Sequence, residues 1–341
     1  MPQHKSPRSA QLRKKLAALV ARATRWRMPL SSADREALAA ALAGEGELRF
    51  DEPMARHTTL RIGGPVDAWI APSSISAVQR VRSYCTTAGL PCRALGAGSN
   101  LLVLDGGLRG VVLASAQLRQ LQFQPPDADS VDPHTTVYVE AGVATGKLLS
   151  EATRRSLGGV EFLGGVPGSI GGGLVMNAGT YLGEFKDVTM QVNTVDSTGQ
   201  LRSRPASECG FVYRGSALPA DEMIVAGILR LPPRPRAEIE AVVRALRDRR
   251  KQREPHGFPN AGSIFKNPAG DFAGRLIEAC GLKGLRSGGA QIAEAHANWI
   301  LNVEQARAAD VLSLVATIRQ AVSSQFGVQL ELEVKVMGEV A

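Results

Sequence analysis

The 341-residue sequence contains only four cysteines and five histidines, and neither residue type shows the spacing of a metal site. No C-x-x-C pair is present, which argues against a zinc site or a thiol redox motif. We therefore expect no bound metal, and we expect reduced, mostly buried thiols in a cytoplasmic protein. The cysteines are Cys85, Cys92, Cys209 and Cys280.

Long apolar runs are also missing. No stretch approaches the roughly 18 apolar residues that a membrane-spanning helix needs, and residues 1–33 have no apolar segment of the length found in secretory signal peptides. Hydrophobic residues form 44% of the chain and charged residues 21%, as in ordinary globular proteins. The composition predicts a soluble protein without a membrane span, long enough for two or three domains.

The net charge of +8 comes from the start of the chain. Eight of the 40 Lys and Arg residues lie within residues 1–33, which contain no acidic residue, so the other 32 are balanced by 32 Asp and Glu residues. No nucleic-acid partner is therefore expected. We predict that residues 1–45 form a basic helical extension, with an amphipathic helix ending at Pro29 and a helix over residues 33–43 capped by Ser32. The extension either docks to an anionic surface or an unknown partner, or is solvated.

Two glycine-rich stretches lack the signatures of the common nucleotide-binding loops. The first, LGAGSNL, covers residues 95–101, and the second, residues 158–184, contains ten glycines. Neither ends in the Gly-Lys-Ser/Thr of a P-loop, and neither has a clean G-x-G-x-x-G at a strand-to-helix junction. Glycine allows positive φ and lets backbone N–H groups approach a ligand closely. One such loop is equally consistent with a tight turn, whereas two in one chain favour a large phosphate-bearing cofactor.

Local patterns after residue 48 predict a mixture of short strands and helices. Residues 58–62 and 66–70 flank Gly63-Gly64-Pro65 and predict a hairpin. A Pro- and Asp-rich stretch, residues 125–134, indicates a surface loop between two lobes. Residues 328–336 alternate between apolar and polar side chains, which predicts a final strand with Glu333 on its polar face.

Seven motifs, in order along the chain from about residue 48 to its end, resemble the UDP-N-acetylenolpyruvoylglucosamine reductases of peptidoglycan synthesis. Singly they are modest, but as an ordered set they are highly specific. They are TLRIGG at residues 59–64, GAGSN at 96–100, GVPGSIGG at 165–172, MNAG at 176–179, YRGS at 213–216, AGSIFKNP at 261–268 and LELEV at 330–334.

The resemblance implies an α+β protein with a two-lobed FAD-binding unit of the vanillyl-alcohol-oxidase (PCMH) type over residues 46–232. It implies a smaller α+β substrate domain over residues 233–341, whose last strand returns to the first lobe. FAD would be the cofactor and NADPH the reductant, with hydride passing through the flavin to the methylene carbon of the enolpyruvyl ether of UDP-GlcNAc. The short connection between Arg214 and Ser263 resembles the family's second type, which lacks an inserted lid.

The motifs also imply site residues. Arg214 would bind the substrate carboxylate, which suits its planar fork and permanent charge, and Glu333, if protonated, would donate a further hydrogen bond there. Ser263 would supply the final proton, and Lys266 and Asn267 would contact the diphosphate or sugar of the substrate. On residue type alone, an acidic partner for Arg214 and a turn cap for Ser263 are the simpler interpretations. The expected cofactor-binding residues are Arg61, Gly96, Ala97, Gly98, Ser99, Asn100, Leu101, Gly165, Pro167, Gly168, Ser169, Gly171, Gly172, Asn177, Ala178 and Gly179.

Two other functions fit parts of the sequence. One is another flavin oxidase or dehydrogenase of the same fold that acts on an alcohol or hydroxy acid. The other is a basic adaptor that binds nucleic acid or a membrane through residues 1–33 and keeps a vestigial flavin unit. Turnover with oxygen and a small alcohol would favour the first, and a colourless purified protein would favour the second.

Overall fold

The computed structural model describes residues 30–341, and the amphipathic helix predicted before Pro29 lies outside the described residues. The second predicted helix is present as α1, Ser32–Leu42, and its cap is Ser31, one residue earlier than expected. The Ser31 hydroxyl accepts a hydrogen bond from the Asp34 N–H, and the Asp34 carboxylate accepts one from the Ser31 N–H, both at 3.1 Å. This reciprocal pair satisfies two N–H groups at the helix start, which explains the earlier boundary.

The first lobe contains the strands β1 (Gly46–Pro53), β2 (Pro65–Pro72), β3 (Cys92–Leu95), β4 (Leu101–Val103) and β5 (Leu108–Ala114), with the helix α2 (Ile75–Thr87) between β2 and β3. Four of these strands form one sheet in the order β1-β2-β5-β3, in which only β1 and β2 are antiparallel. Leu38 and Leu42 of α1 are buried in the same core as Val78 and Val81 of α2. The helix α1 is therefore packed on the first lobe.

The hairpin predicted over residues 58–70 is wrong. The strand β2 pairs with β1, with Glu47 opposite Ala71, and residues 58–64 form a loop. The Thr58 hydroxyl closes that loop, because it donates to the Ile62 carbonyl at 2.9 Å and accepts from the Ile62 N–H at 3.2 Å. A threonine that binds nearby backbone groups competes with strand pairing, and the apolar pattern does not reveal this.

The second lobe contains the strands β6 (Leu121–Gln124), β7 (Thr135–Glu140), β8 (Gly179–Thr180), β9 (Gly183–Glu184), β10 (Thr189–Val195), β11 (Leu201–Pro205) and β12 (Met223–Leu231), and the helices α3 (Thr145–Arg154) and α4 (Ile170–Val175). Its main sheet is antiparallel, in the order β11-β10-β12-β7-β6. The exposed stretch of residues 125–134 joins β6 to β7 within this sheet, so the prediction that it separates two lobes is wrong.

The C-terminal region contains the helices α5 (Arg236–Arg253), α6 (Ala273–Ala279) and α7 (Ala308–Phe326), and the strands β13 (Asn260–Ser263), β14 (Arg286–Ser287), β15 (Ala290–Ile292), β16 (Trp299–Asn302) and β17 (Lys335–Met337). Four strands form an antiparallel sheet in the order β13-β16-β15-β14, and β17 pairs in parallel with β4 of the first lobe. Leu60 and Leu102 share a buried core with Ile264 and Val315. The C-terminal region is thereby packed against the first lobe.

The final strand is shorter than its sequence pattern predicts. Only Lys335–Met337 forms a strand, while residues 328–334 approach a different partner segment through the Phe265–Leu332 bridge. The Glu333 N–H donates to the Ile264 carbonyl at 2.8 Å. The side chain of Glu333 is 18% exposed, so it does not lie on a solvated face as the alternation suggested.

Candidate active site

A cavity of about 630 Å³ lies where the two lobes and the C-terminal region meet. Both glycine-rich loops line it, and so do Arg214, Ser263 and Glu333. These residues are up to 238 positions apart in the sequence and come from three parts of the fold. Ligand pockets of small molecules and cofactors commonly enclose roughly 300–1,000 Å³, so the volume suits a ligand site.

The first glycine loop connects β3 to β4 and presents free backbone donors. In the described chain, the N–H groups of residues 96–100 donate no hydrogen bond. Gly98 has φ +64°, and a Cβ atom added there would collide with the His57 carbonyl oxygen. Only glycine therefore allows this close approach, and successive free N–H groups are a typical anion-binding arrangement. Gly96, Ala97, Gly98, Ser99, Asn100 and Leu101 all line the cavity.

The second glycine loop lies directly against the first. A Cβ atom added at Gly96 would lie 2.9 Å from the Ser169 hydroxyl oxygen, and one added at Gly168, where φ is +124°, would lie 2.8 Å from the Ser99 hydroxyl oxygen. Side chains at either glycine would push the loops apart. The second-loop side of the cavity includes Gly165, Pro167, Gly168, Ser169, Gly171, Gly172, Ala178 and Gly179.

Two serine hydroxyl groups at this wall have no partner within residues 30–341. Ser115 Oγ and Ser169 Oγ are buried and make no hydrogen bond, and both residues line the cavity. A buried hydroxyl without a partner costs free energy unless a ligand or water satisfies it. The free N–H groups, the glycine contacts and these two hydroxyls fit the diphosphate-bearing flavin that the motifs imply.

Two of the expected cofactor-binding residues are not brought to the cavity. Arg61 is exposed, with φ +55°, and is not among the lining residues. Asn177 is fully buried behind the wall, where its side-chain amide donates to the Val212 carbonyl at 3.1 Å and its amide oxygen accepts from the Lys186 N–H at 2.9 Å. Asn177 therefore positions the turn that carries Arg214.

Arg214 lies at the tip of the tight turn between Val212 and Gly215 and has φ +56°, an unusual value for a residue other than glycine. Its Nε lies 3.0 Å from Glu333 Oε1, and its Nη2 donates to the Gly179 carbonyl at 3.1 Å. Strained backbone of this kind persists where the surroundings hold a side chain in place. The guanidinium group is thus fixed at the cavity wall. Its pairing with a carboxylate agrees with the simpler interpretation from residue type, an acidic partner for Arg214.

Burial raises the pKa of Glu333 above its ordinary value, and the nearby Arg214 opposes this shift only in part. The Glu333 side chain is 18% exposed. A negatively charged ligand beside Arg214 would raise the pKa further, since like charges disfavour ionisation. The geometry therefore favours a protonated Glu333 when an anion is bound.

Ser263 ends β13 and lines the cavity. Its hydroxyl forms no hydrogen bond with any described residue. The neighbouring Gly262 has φ +73°, and a Cβ atom added there would meet no atom within 4 Å. The backbone position beside Ser263 is therefore uncrowded.

Lys266 and Asn267 follow Ser263 in the sequence but are not among the residues that line the cavity. Lys266 Nζ lies 3.6 Å from Glu331 Oε2, and the Asn267 side-chain oxygen accepts a hydrogen bond from the Ala273 N–H at 3.1 Å at the start of α6. Both side chains thus have structural partners.

Several polar residues at the cavity were missed from the sequence, among them Ser115, Arg250, Glu254 and Lys335. Arg250 Nη1 donates to the Gly165 carbonyl, and its Nη2 lies 2.6 Å from Glu254 Oε2. Burial raises the pKa of Glu254, while Arg250 opposes the shift. Charged residues crowd the end of α5, and no local signal distinguishes the two residues that turn inward.

An α+β fold that brings two glycine loops to one cavity beside a buried Arg–Glu pair defines a flavin-dependent oxidoreductase with a two-lobed FAD-binding unit. A model of the FAD binding domain matches residues 66–203, and a model of the UDP-N-acetylenolpyruvoylglucosamine reductase C-terminal domain matches residues 254–337. The chain belongs to the family of UDP-N-acetylenolpyruvoylglucosamine reductases, as its relatives show.

The reductase of Moorella thermoacetica is 43% identical over 305 residues, which cover 88% of this chain and 98% of the relative. That of Alkalilimnicola ehrlichii is 43% identical over 296 residues, covering 86% and 96%. The crystal structure of the Thermus caldophilus reductase superimposes with a TM-score of 0.71 at 36% identity, covering 86% of this chain and 98% of that one. The predictions of the family, the α+β fold class, FAD and NADPH are confirmed.

Three further observations concern the whole of residues 30–341. No helix there combines the length and the apolar character needed to cross a membrane. No group of three or more His, Cys, Asp or Glu side chains in that range is arranged to hold a metal ion. All four cysteines are free thiols.

Proposed function

We propose that this FAD-dependent enzyme reduces the enolpyruvyl ether of UDP-N-acetylglucosamine with NADPH in the cavity described above, and that Arg214, Glu333 and Ser263 carry the substrate chemistry. FAD, when bound, supplies the hydride that it has accepted from NADPH. The observation that carries the assignment is the Arg214–Glu333 contact of 3.0 Å, in the same cavity as both glycine loops and Ser263.

The reaction moves negative charge into the substrate carboxylate, and the side chains of the site must stabilise that charge. Hydride adds to the methylene carbon, the carbon–carbon double bond becomes single, and the electron pair moves to the adjacent carbon and into the carboxylate. A fixed cation at that carboxylate stabilises the developing charge more than it stabilises the ground state. Arg214 fits this task because its turn and its contact with Gly179 hold it in place.

Glu333 acts beside Arg214 as a hydrogen-bond donor in this proposal. Its pKa is already raised by burial, and the incoming carboxylate adds a like charge that raises it further. The protonated side chain then donates to the carboxylate oxygen, where the negative charge accumulates. A glutamate that stayed ionised would repel the same group.

Ser263 delivers the proton that completes the reaction. Its proton goes to the carbon adjacent to the carboxylate, and water then reprotonates the serine oxygen. A hydroxyl is a weak acid, so the step works only because the carbanion is far more basic. Ser263 suits the role because its hydroxyl has no partner among residues 30–341 and the residue lines the cavity.

The roles of other residues belong to the same proposal. Residues 46–232 would hold FAD and residues 233–341 the substrate, in the cytoplasm. The first glycine loop would bind the diphosphate of FAD, and the second would run beside it towards the flavin ring. Lys266 and Asn267 would reach the nucleotide sugar only after leaving their present partners, Glu331 and the start of α6.

The test is a pair of anaerobic half-reactions followed at the visible absorption band of the flavin. NADPH should bleach the band, and the enolpyruvyl sugar nucleotide should then restore it without oxygen. A small alcohol or hydroxy acid should not reduce the flavin. Bleaching by an alcohol, or failure of the sugar nucleotide to reoxidise the reduced enzyme, would contradict the proposed function and favour another flavin oxidase.

A further inference from the structure

Three cationic side chains line the cavity in the described part of the chain, namely Arg214, Arg250 and Lys335. Arg214 is paired with Glu333, and Arg250 is paired with Glu254. Lys335 differs, because its amine forms no salt bridge and donates no hydrogen bond within residues 30–341, and its charge acts on the Glu333 carboxylate only at longer range. It is therefore the one cation of this wall, among the residues described, whose charge remains available to an anionic ligand.

Backbone contacts place Lys335 beside the end of the first glycine loop. The Lys335 N–H donates to the Asn100 carbonyl at 3.0 Å, and the Asn100 side-chain amide donates to the Glu333 carbonyl at 3.1 Å. The pairing of Lys335 with Leu101 in the β17–β4 ladder continues this contact. The first glycine loop ends at these residues, so the lysine is anchored beside its free N–H groups.

We propose that Lys335 pairs with the diphosphate of bound FAD and is the charged partner that the first glycine loop lacks. The loop offers backbone N–H groups, which are dipoles without net charge, whereas a diphosphate carries about two negative charges near neutral pH. An adjacent ammonium group strengthens such binding as a point charge. The proposal rests on the assignment of the first glycine loop to the FAD diphosphate.

Arg61 does not compete for this role. It was expected at the cofactor from the family motif, but it is exposed and is not among the cavity-lining residues. The carbonyl of the neighbouring Leu60 accepts a hydrogen bond from the Asn302 side-chain amide at 3.0 Å. Lys335, near the other end of the chain, lines the cavity, whereas Arg61 does not.

The experiment measures FAD release from the holoenzyme of Lys335→Gln. Serial dilution with detection of free-flavin fluorescence gives the Kd, and we expect it to rise about 10-fold or more, the usual effect of losing a charge-assisted contact. Lys335→Arg, which keeps the charge, should stay within about threefold of wild type. Lys283→Gln is the matched control, because Lys283 is paired with Glu278 at 2.7 Å and is not among the cavity-lining residues.

Two further measurements test whether Lys335 contacts the diphosphate of FAD or another group. The Kd of the glutamine variant should depend less steeply on salt than that of wild type, because an ionic contact has been removed. The flavin reduction potential should not change, since the diphosphate is remote from the ring. An unchanged Kd would overturn the proposal. A shifted reduction potential would also overturn it, because it would indicate a contact with the flavin ring. A raised KM for NADPH or the sugar nucleotide with a normal Kd for FAD would overturn it too, because it would indicate a contact with a substrate.

The Kd measurement uses neither substrate, so it remains valid even if the sugar nucleotide fails to reoxidise the flavin. Failure of the proposed function and failure of the lysine assignment are therefore distinguishable. Thermal unfolding of the FAD-saturated variant checks that the fold is intact. We expect a small change, because Lys335 is exposed on a short strand that pairs through its backbone.

Discussion

Replacing Ser263 by alanine tests the proton-transfer step most directly. The hydroxyl has no hydrogen-bond partner among the described residues, so its removal leaves no buried group unsatisfied. The free energy of unfolding should change by no more than about 0.5 kcal/mol. If Ser263 donates the proton, overall turnover should fall about 10²- to 10⁴-fold, which corresponds to roughly 3–5.5 kcal/mol in activation free energy.

The assay separates this loss from a loss of cofactor. Stopped-flow absorbance should show near-normal bleaching of the flavin by NADPH in Ser263→Ala, while product formation from the sugar nucleotide is slow. Ser287→Ala is the control, because Ser287 lies on β14 and is not among the cavity-lining residues. Ser263→Cys should recover part of the activity. Turnover of the alanine variant within a few-fold of wild type, or a raised KM as its only defect, would refute the proton-donor role.

Three further substitutions probe the ion pairs of the cavity. Arg214→Lys should leave flavin reduction by NADPH nearly normal but slow reoxidation by the sugar nucleotide, because a point charge cannot make two parallel contacts; equal losses in both half-reactions would instead indicate a structural role. The kcat of the wild type should fall as pH rises through the raised pKa of Glu333, since the protonated side chain is the donor, and Glu333→Gln should abolish that limb of the pH profile. Arg250→Gln should lower the free energy of unfolding by about 1–3 kcal/mol in a denaturant titration, because it removes the contact with Gly165 and leaves Glu254 unpaired; an unchanged midpoint would contradict this.

The ordered motifs predict more of this site than local pattern does. Nothing in the spacing of Gly98, Arg214, Ser263 and Glu333 indicates that they meet, because three regions of the fold separate them. The resemblance brings them together, and the cavity contains all four. Helix boundaries are easier to predict, because the residues that cap a helix lie next to its ends in the sequence. The prediction of α1 missed its cap by a single residue.

Strand pairing is where the sequence is least informative. The apolar residues at 66–70 predict a strand, but they do not identify which upstream segment pairs with it. The local hydrogen bonds of Thr58 decide the matter in favour of β1. The inward turn of Arg250 is hidden for a similar reason, because α5 carries charge along its whole length and burial of one charge depends on Gly165, 85 residues earlier.

Glu333 shows why a polar face in a strand pattern has two meanings. The alternation over residues 328–336 correctly separates its side chain from those of Val334 and Val336, but the polar side borders a cavity instead of bulk solvent. Burial in this cavity raises the pKa of Glu333, which favours the protonated side chain. The sequence alone does not reveal that burial. The cationic partner of Glu333 comes from a turn 119 residues earlier, where Arg214 adopts positive φ. The raised pKa and the cationic partner of this carboxyl group therefore depend on the folded cavity. The strand pattern predicts only the face on which the side chain lies.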